Sequence, residues 1–86
     1  MKVITHKSFV KKIKKVPNPI KKRYLECSAL FEKNPTDERL HNHALAGRYL
    51  GYRSISISSD WRIIFKESDF QTVIFVDIGT HSQLYG

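Results

Sequence analysis

Gly51-Tyr52-Arg53-Ser54-Ile55-Ser56-Ile57-Ser58-Ser59-Asp60-Trp61-Arg62-Ile63-Ile64-Phe65 is the stretch on which the fold turns. Ile55 and Ile57 alternate with Ser54, Ser56 and Ser58, the pattern of a strand with one apolar and one small polar face. Ser58-Ser59-Asp60 supplies turn chemistry, because these short side chains bond neighbouring backbone groups. The second arm, Trp61 to Phe65, is too apolar for an edge wetted on both sides. Its alternation puts Trp61, Ile63 and Phe65 on one face and Arg62 and Ile64 on the other. Arg53 enters the hairpin at its base, Asp60 sits at its tip and Arg62 follows. Two guanidiniums and a carboxylate on so small a hairpin suggest a grip on an anion. The plainer alternative is a set of surface ion pairs, which contribute little.

Upstream, Lys2-Val3-Ile4-Thr5 reads as a first strand. Phe9, Ile13 and Val16 then recur at helical spacing, with Lys11, Lys12, Lys14 and Lys15 filling the positions between, and Pro17 ends that helix. Asn18-Pro19 predicts a second start, with Asn18 as the N-cap. Ile20, Tyr24, Cys27 and Phe31 form one stripe along this second helix, widened by Leu30, and Asn34-Pro35 stops it. Lys21, Lys22 and Arg23 crowd its N-terminus, where cations oppose the helix dipole. The sharp proline turn predicts a hairpin of two basic helices. Residues 36–50 read as a polar connection with a short helical turn at 36–40. Lys66 to Gln71 reads as a charged turn, and Thr72 to Ile78 as a central strand. The order β-α-α-β-β-β implies an α+β fold, two helices packed on a small, mainly antiparallel sheet. Its other face, bearing Ser54, Ser56, Arg62 and Asp77, is expected to meet solvent.

The 86 residues, 41% hydrophobic, suffice for a small core. Cys27 is the only cysteine, which excludes an internal disulfide, suits a reducing compartment and places the residue in the core. No apolar run approaches the roughly 18 residues of a membrane span and no signal-peptide pattern is present, so a cytoplasmic location is expected. The net charge is +7. Residues 1–35 hold ten Lys/Arg against two Glu, whereas residues 36–86 hold five against six acids. Diffuse attraction for a polyanion therefore belongs to the lysine-rich first half, and the arginines of the second suit bidentate contacts. Lys11, Lys12, Lys14 and Lys15 are candidates to track a phosphate backbone; the alternative is an ordinary solvated helix face.

Of four histidines, His43 precedes the hairpin and His81 follows the last strand. Loops leaving one small sheet converge, which predicts His43, Asp60, Arg62 and His81 near one another. Such a set fits RNA transesterification: one group takes the 2′-OH proton, one protonates the 5′-oxygen, and a cation stabilises the phosphorane. A substrate that carries its own nucleophile requires no metal and no other cofactor. His41-x-His43 with Asp60 and His81 offers an alternative zinc set, though the spacing is weak and no cysteine joins it.

Together, His43-Ala44-Leu45-Ala46-Gly47, Gly51-Tyr52-Arg53, Asp60-Trp61-Arg62-Ile63-Ile64-Phe65 and Ile78-Gly79-Thr80-His81-Ser82-Gln83-Leu84-Tyr85-Gly86 resemble the YafQ-like branch of the RelE/ParE superfamily of type II toxins. The resemblance spans the chain; the closing Gly-Thr-His-Ser phrase is its most specific part, and the N-terminal half matches only in character. It implies one RelE-like domain over residues 1–86 and a ribosome-dependent mRNA endoribonuclease. Such an enzyme works in the A site, leaves a 2′,3′-cyclic phosphate and a 5′-OH, and is neutralised by a cognate antitoxin. Carried over by motif, His43 and His81 are the acid/base pair and Asp60 orients or charges a neighbour. Arg62 stabilises the phosphorane, Arg53 grips the backbone, and Tyr85 stacks on a base or bonds the phosphate. The family's further histidine in the first hairpin strand falls on Ser56, which bonds phosphate but is no base near neutrality. An acidic antitoxin segment would fold over the basic surface. Two other readings stand beside this one: a ParE-like non-catalytic inhibitor of DNA gyrase, and a basic RNA- or ribosome-binding module that does not cut.

Overall fold

A computed structural model describes residues 1–86. Strand β1 (Lys2–Thr5) leads into helices α1 (Lys7–Ile13) and α2 (Asn18–Lys33). A two-residue strand β2 (His43–Ala44) lies between 3₁₀ turns at Glu38–Leu40 and Gly47–Tyr49. Strands β3 (Arg53–Ser56), β4 (Trp61–Asp69) and β5 (Thr72–Thr80) follow, and helix α3 (His81–Tyr85) ends the chain. The sheet order is β1-β5-β4-β3-β2, with β1 parallel to β5 and every other pair antiparallel. The predicted element order holds, and the structure adds β2 and α3.

The hairpin alternation sets the core. Ile55 pairs with Ile63, which pairs with Ile78, and Phe65 pairs with Phe75. All face α2, whose Ile20, Cys27 and Phe31 complete the cluster with Phe9 of α1. Phe31 is fully buried, with its ring 5.1 Å from Phe65 and 5.7 Å from Phe75 in edge-to-face contact. The two helices meet where the Phe9 ring lies 5.4 Å from Tyr24. Burial raises the Cys27 thiol pKa, with Arg23 opposing through its charge. Strand β1 pairs only with Thr72–Phe75, and α1 takes over the flank of β5 beyond that point. There Ser8 Oγ donates to Val76 O, which satisfies an edge carbonyl. No helix is long and apolar enough to cross a membrane.

Several expectations are corrected. The first helix stops at Ile13, leaving Val16 buried in the turn. Pro17, not Asn18, is the N-cap of α2; its side chain has no acceptor and makes no cap bond, and Asn18 is already helical. Residues 66–69 continue β4 with exposed polar side chains, and the reversal falls at Phe70-Gln71, where Asp69 Oδ1 accepts from Gln71 N–H. The second sheet face is not simply solvated. Ser54, Ile64 and Leu84 are fully buried there, because α3 and the turn at Gly47–Tyr49 fold over it.

Truncating Phe31 removes the hub of the aromatic cluster. Phe31→Ala is expected to lower the unfolding free energy by about 3–5 kcal/mol in urea titrations followed by circular dichroism.

Candidate functional site

Directly opposed residues of an antiparallel ladder point to the same side. The pairs His43–Ser54, Ser54–Ile64, Ser56–Arg62 and Arg62–Gly79 therefore put His43, Ser56 and Arg62 on the face away from α2. Arg53 pairs with Phe65 and so lies on the α2 side, where its Nε donates to Asn42 Oδ1 at 2.9 Å. The expectation that Arg53 joins the other site residues is corrected: parity of the strand sends it to the opposite face.

Helix α3 is fixed at its first turn by a capping box. Thr80 Oγ1 accepts from Gln83 N–H, and Gln83 Oε1 accepts from Thr80 N–H at 2.9 Å. The helix lies close on the sheet at Gly79, where an added Cβ would stand 3.1 Å from Gln83 Oε1 and 3.3 Å from Leu84 Cδ2. His81 is thus its first residue. The tip of the β3–β4 hairpin reaches it, with Asp60 Oδ1 accepting from His81 N–H at 3.3 Å. Arg62, two residues on, donates from Nη1 to the carbonyls of Ser58, Ser59 and Trp61, and no carboxylate pairs with it. Asp60, Arg62 and His81 therefore gather at one end of the sheet.

His43 stands across the face, on the edge strand three strands from β5 and in register with Asp77, four residues short of His81, a backbone separation of about 19 Å from His81 at ordinary strand spacing and rise. Ser56 and Arg62 lie on the strands between. An aromatic chain links the two sides: His81 packs on Tyr85 at 4.9 Å, Tyr85 on Tyr49 at 5.6 Å, and Tyr49 on Tyr52 at 6.2 Å. The Arg48 guanidinium lies over the Tyr49 ring and donates to Leu84 O. Ser56 and Arg62 lie on the shared face between the two histidines and line a cleft with Arg23, Arg39 and His41. His43 Nδ1 lies 2.7 Å from His41 O. A carbonyl only accepts, so Nδ1 holds a hydrogen and Nε2 is the nitrogen left open. The alternative zinc set is not assembled: no three histidine, cysteine or carboxylate side chains converge.

Among the lysines, Lys11, Lys14 and Lys15 are exposed. Lys12 is bound to Asp77 at 2.6 Å, which spends part of its charge within the fold. Lys12 and Lys15 line a hollow with Trp61 and Gln83, which brings α1 to the α3 end of the sheet. Residues missed from the sequence are Arg48 and Tyr49, which hold α3 down, and Arg23, Arg39 and His41, which meet Arg62 in a cleft at the hairpin tip. The helix that carries His81 had a signal, the Thr80-x-x-Gln83 capping pattern; the cleft had none, because its members come from three separated segments.

The family model described as the bacterial toxin of type II toxin-antitoxin systems, YafQ, matches residues 1–86. The chain is 32% identical over 66 residues to the mRNA interferase toxin YafQ of Escherichia coli K12, covering 77% of this chain and 71% of that protein. The toxin in the crystal structure of the E. coli DinJ-YafQ complex superposes with a TM-score of 0.70 at 26% identity, over 98% of this chain and 97% of the other. The RelB-RelE antitoxin-toxin complex of Methanococcus jannaschii gives 0.74 at 26% identity, over 95% and 94%.

The Ser54 hydroxyl is buried with no hydrogen-bond partner. An unpaired buried hydroxyl costs free energy, so Ser54→Ala is expected to raise stability by about 1 kcal/mol in urea unfolding.

Proposed function

The chain belongs to the YafQ family of bacterial type II toxins and is an mRNA interferase toxin, an endoribonuclease; on that premise we propose that it cuts by 2′-OH attack on the sheet face that carries His43, Arg62 and His81. Its Nδ1 held by His41 O, His43 offers Nε2 to the 2′-OH as general base. The 2′-oxygen forms a bond to phosphorus as the P–O5′ bond breaks. His81 delivers a proton to the departing 5′-oxygen, and the products are a 2′,3′-cyclic phosphate and a 5′-OH. Arg62, with no carboxylate beside it, faces the charge that develops on the phosphorane. Asp60 is a positioning residue: its carboxylate holds the His81 backbone rather than the ring. Tyr85, stacked on the His81 ring, orients it and offers a face to a base.

The single observation that carries this reading is the shared face: Arg62, Asp60 and His81 gathered at one end, and His43 on the same side of the sheet, with Ser56 between. The mRNA of a translating ribosome is the proposed substrate and the cytoplasm the proposed location; exposed Lys11, Lys14 and Lys15 suit ribosomal RNA. A cognate acidic antitoxin is the proposed protein partner, supported by the DinJ-YafQ and RelB-RelE complexes and by the +7 charge.

In a translating extract, His43→Ala and His81→Ala are each expected to slow mRNA cleavage by roughly 10²–10⁴-fold. Wild-type rates in both variants would overturn the assignment.

A further inference from the structure

The tip of the β3–β4 hairpin holds an open cleft of about 280 Å³, lined by Arg23 of α2, Arg39 and His41 from the connection before β2, Arg62 of β4 and the hairpin serines. Its lining includes one apolar residue and no acidic one. Each guanidinium is anchored by part of its nitrogens. Arg23 Nε donates to Ile57 O, and its Nη1 is 3.6 Å from Glu26. Arg39 gives Nε and Nη2 to Asp37, whose carboxyl those bonds hold down to about 2. Arg62 spends Nη1 on three carbonyls. At least one nitrogen of each is left without a partner in the chain. Three cations are thus fixed in orientation without being fully neutralised, an arrangement preorganised for an oxyanion.

The sheet edge adds a donor. Strand β2 pairs only with Arg53 and Ser54, so β3 is uncovered beyond that point. Ile57 N–H bonds Trp61 O. By the alternation of an antiparallel ladder, the Ser56 N–H then points away from β4, toward the cleft.

We propose that this cleft binds a phosphate of the RNA strand adjacent to the one that is cut. The inference rests on the endoribonuclease reading, because the cleft shares Ser56 and Arg62 with the sheet face on which the scissile phosphate is placed. RNA is favoured over an acidic peptide by the lining. A docked peptide draws its affinity from buried apolar anchors, and this cleft offers one apolar residue, whereas a phosphate needs only donors and charge. The site also gives the Ser56 position a use: a hydroxyl where the cleft meets the catalytic face bonds either phosphate.

The test is a salt titration of binding to a short RNA whose 2′-hydroxyls are methylated, so that it binds without being cut, followed by fluorescence anisotropy. Arg23→Gln/Arg39→Gln is expected to weaken binding about tenfold and to flatten the log K against log salt slope by about 1. Ser59→Glu puts a carboxylate at the cleft while leaving every guanidinium contact in place; it is expected to weaken binding similarly in a protein that melts like the wild type. Unchanged affinity and slope in both cleft variants would overturn the inference, as would a wild-type protein that does not bind the oligomer at low salt. Unchanged RNA binding with lost affinity for an acidic antitoxin peptide would overturn it in favour of protein docking. Absence of mRNA cutting by the wild type in a translating extract would instead strike the endoribonuclease reading, a result the binding titration does not share.

Discussion

Strand β4 is buried on both of its faces, and the rest of the molecule answers that constraint. Ile63, Ile64 and Phe65 are consecutive and fully buried, which a sheet covered on one side only does not permit. Toward α2 the cover is the aromatic cluster around Phe31. Toward the other side the chain has little left to offer, and uses two short pieces: the 3₁₀ turn at Gly47–Tyr49 and the five residues of α3. They lean on each other through Tyr49–Tyr85 and the Arg48 bond to Leu84 O, and Leu84 closes over the sheet.

That small second layer makes a functional site possible. It covers Ser54 and Ile64 and leaves Ser56 and Arg62 half-exposed at its border. Packing thus decides which polar residues of one alternating face become structure and which stay available. Electrostatics divides in the same way. The lysines of α1 are mostly free in solvent and give long-range attraction that salt screens. The arginines around the hairpin tip are held, Arg23 and Arg62 by carbonyls and Arg39 by Asp37, and give local, oriented donors.

Much of this was legible in the chain. The serine–isoleucine alternation and the Ser-Ser-Asp turn gave the hairpin and its faces, and the stripe from Ile20 to Phe31 gave α2 and its buried side. The closing phrase from Ile78 to Gly86, with the two phrases before it, pointed to the family. What stayed hidden depended on parity and on distant contacts. Arg53 looked like a partner of Arg62, yet it shares the parity of Ile55 and Ile57 and pairs with Phe65, so the alternation sends it to the α2 side, where it faces Asn42. Ser54 and Ser56 look alike in sequence; only the placement of α3 buries the first. The cleft of Arg23, Arg39 and His41 joins segments that no local pattern connects, and His41 reaches it through a left-handed backbone, φ 50°.

The account stands on the substrate supplying its own nucleophile between His43 and His81. The direct measurement is the fate of an mRNA carrying a single 2′-deoxynucleotide at a mapped cut site, with the chemistry of the new ends determined on the unmodified message. The account predicts that the deoxy position is spared while neighbouring sites are still cut, and that the unmodified message yields a 2′,3′-cyclic phosphate and a 5′-OH. Cutting at the deoxy position, or fragments ending in a 3′-OH and a 5′-phosphate, would contradict it.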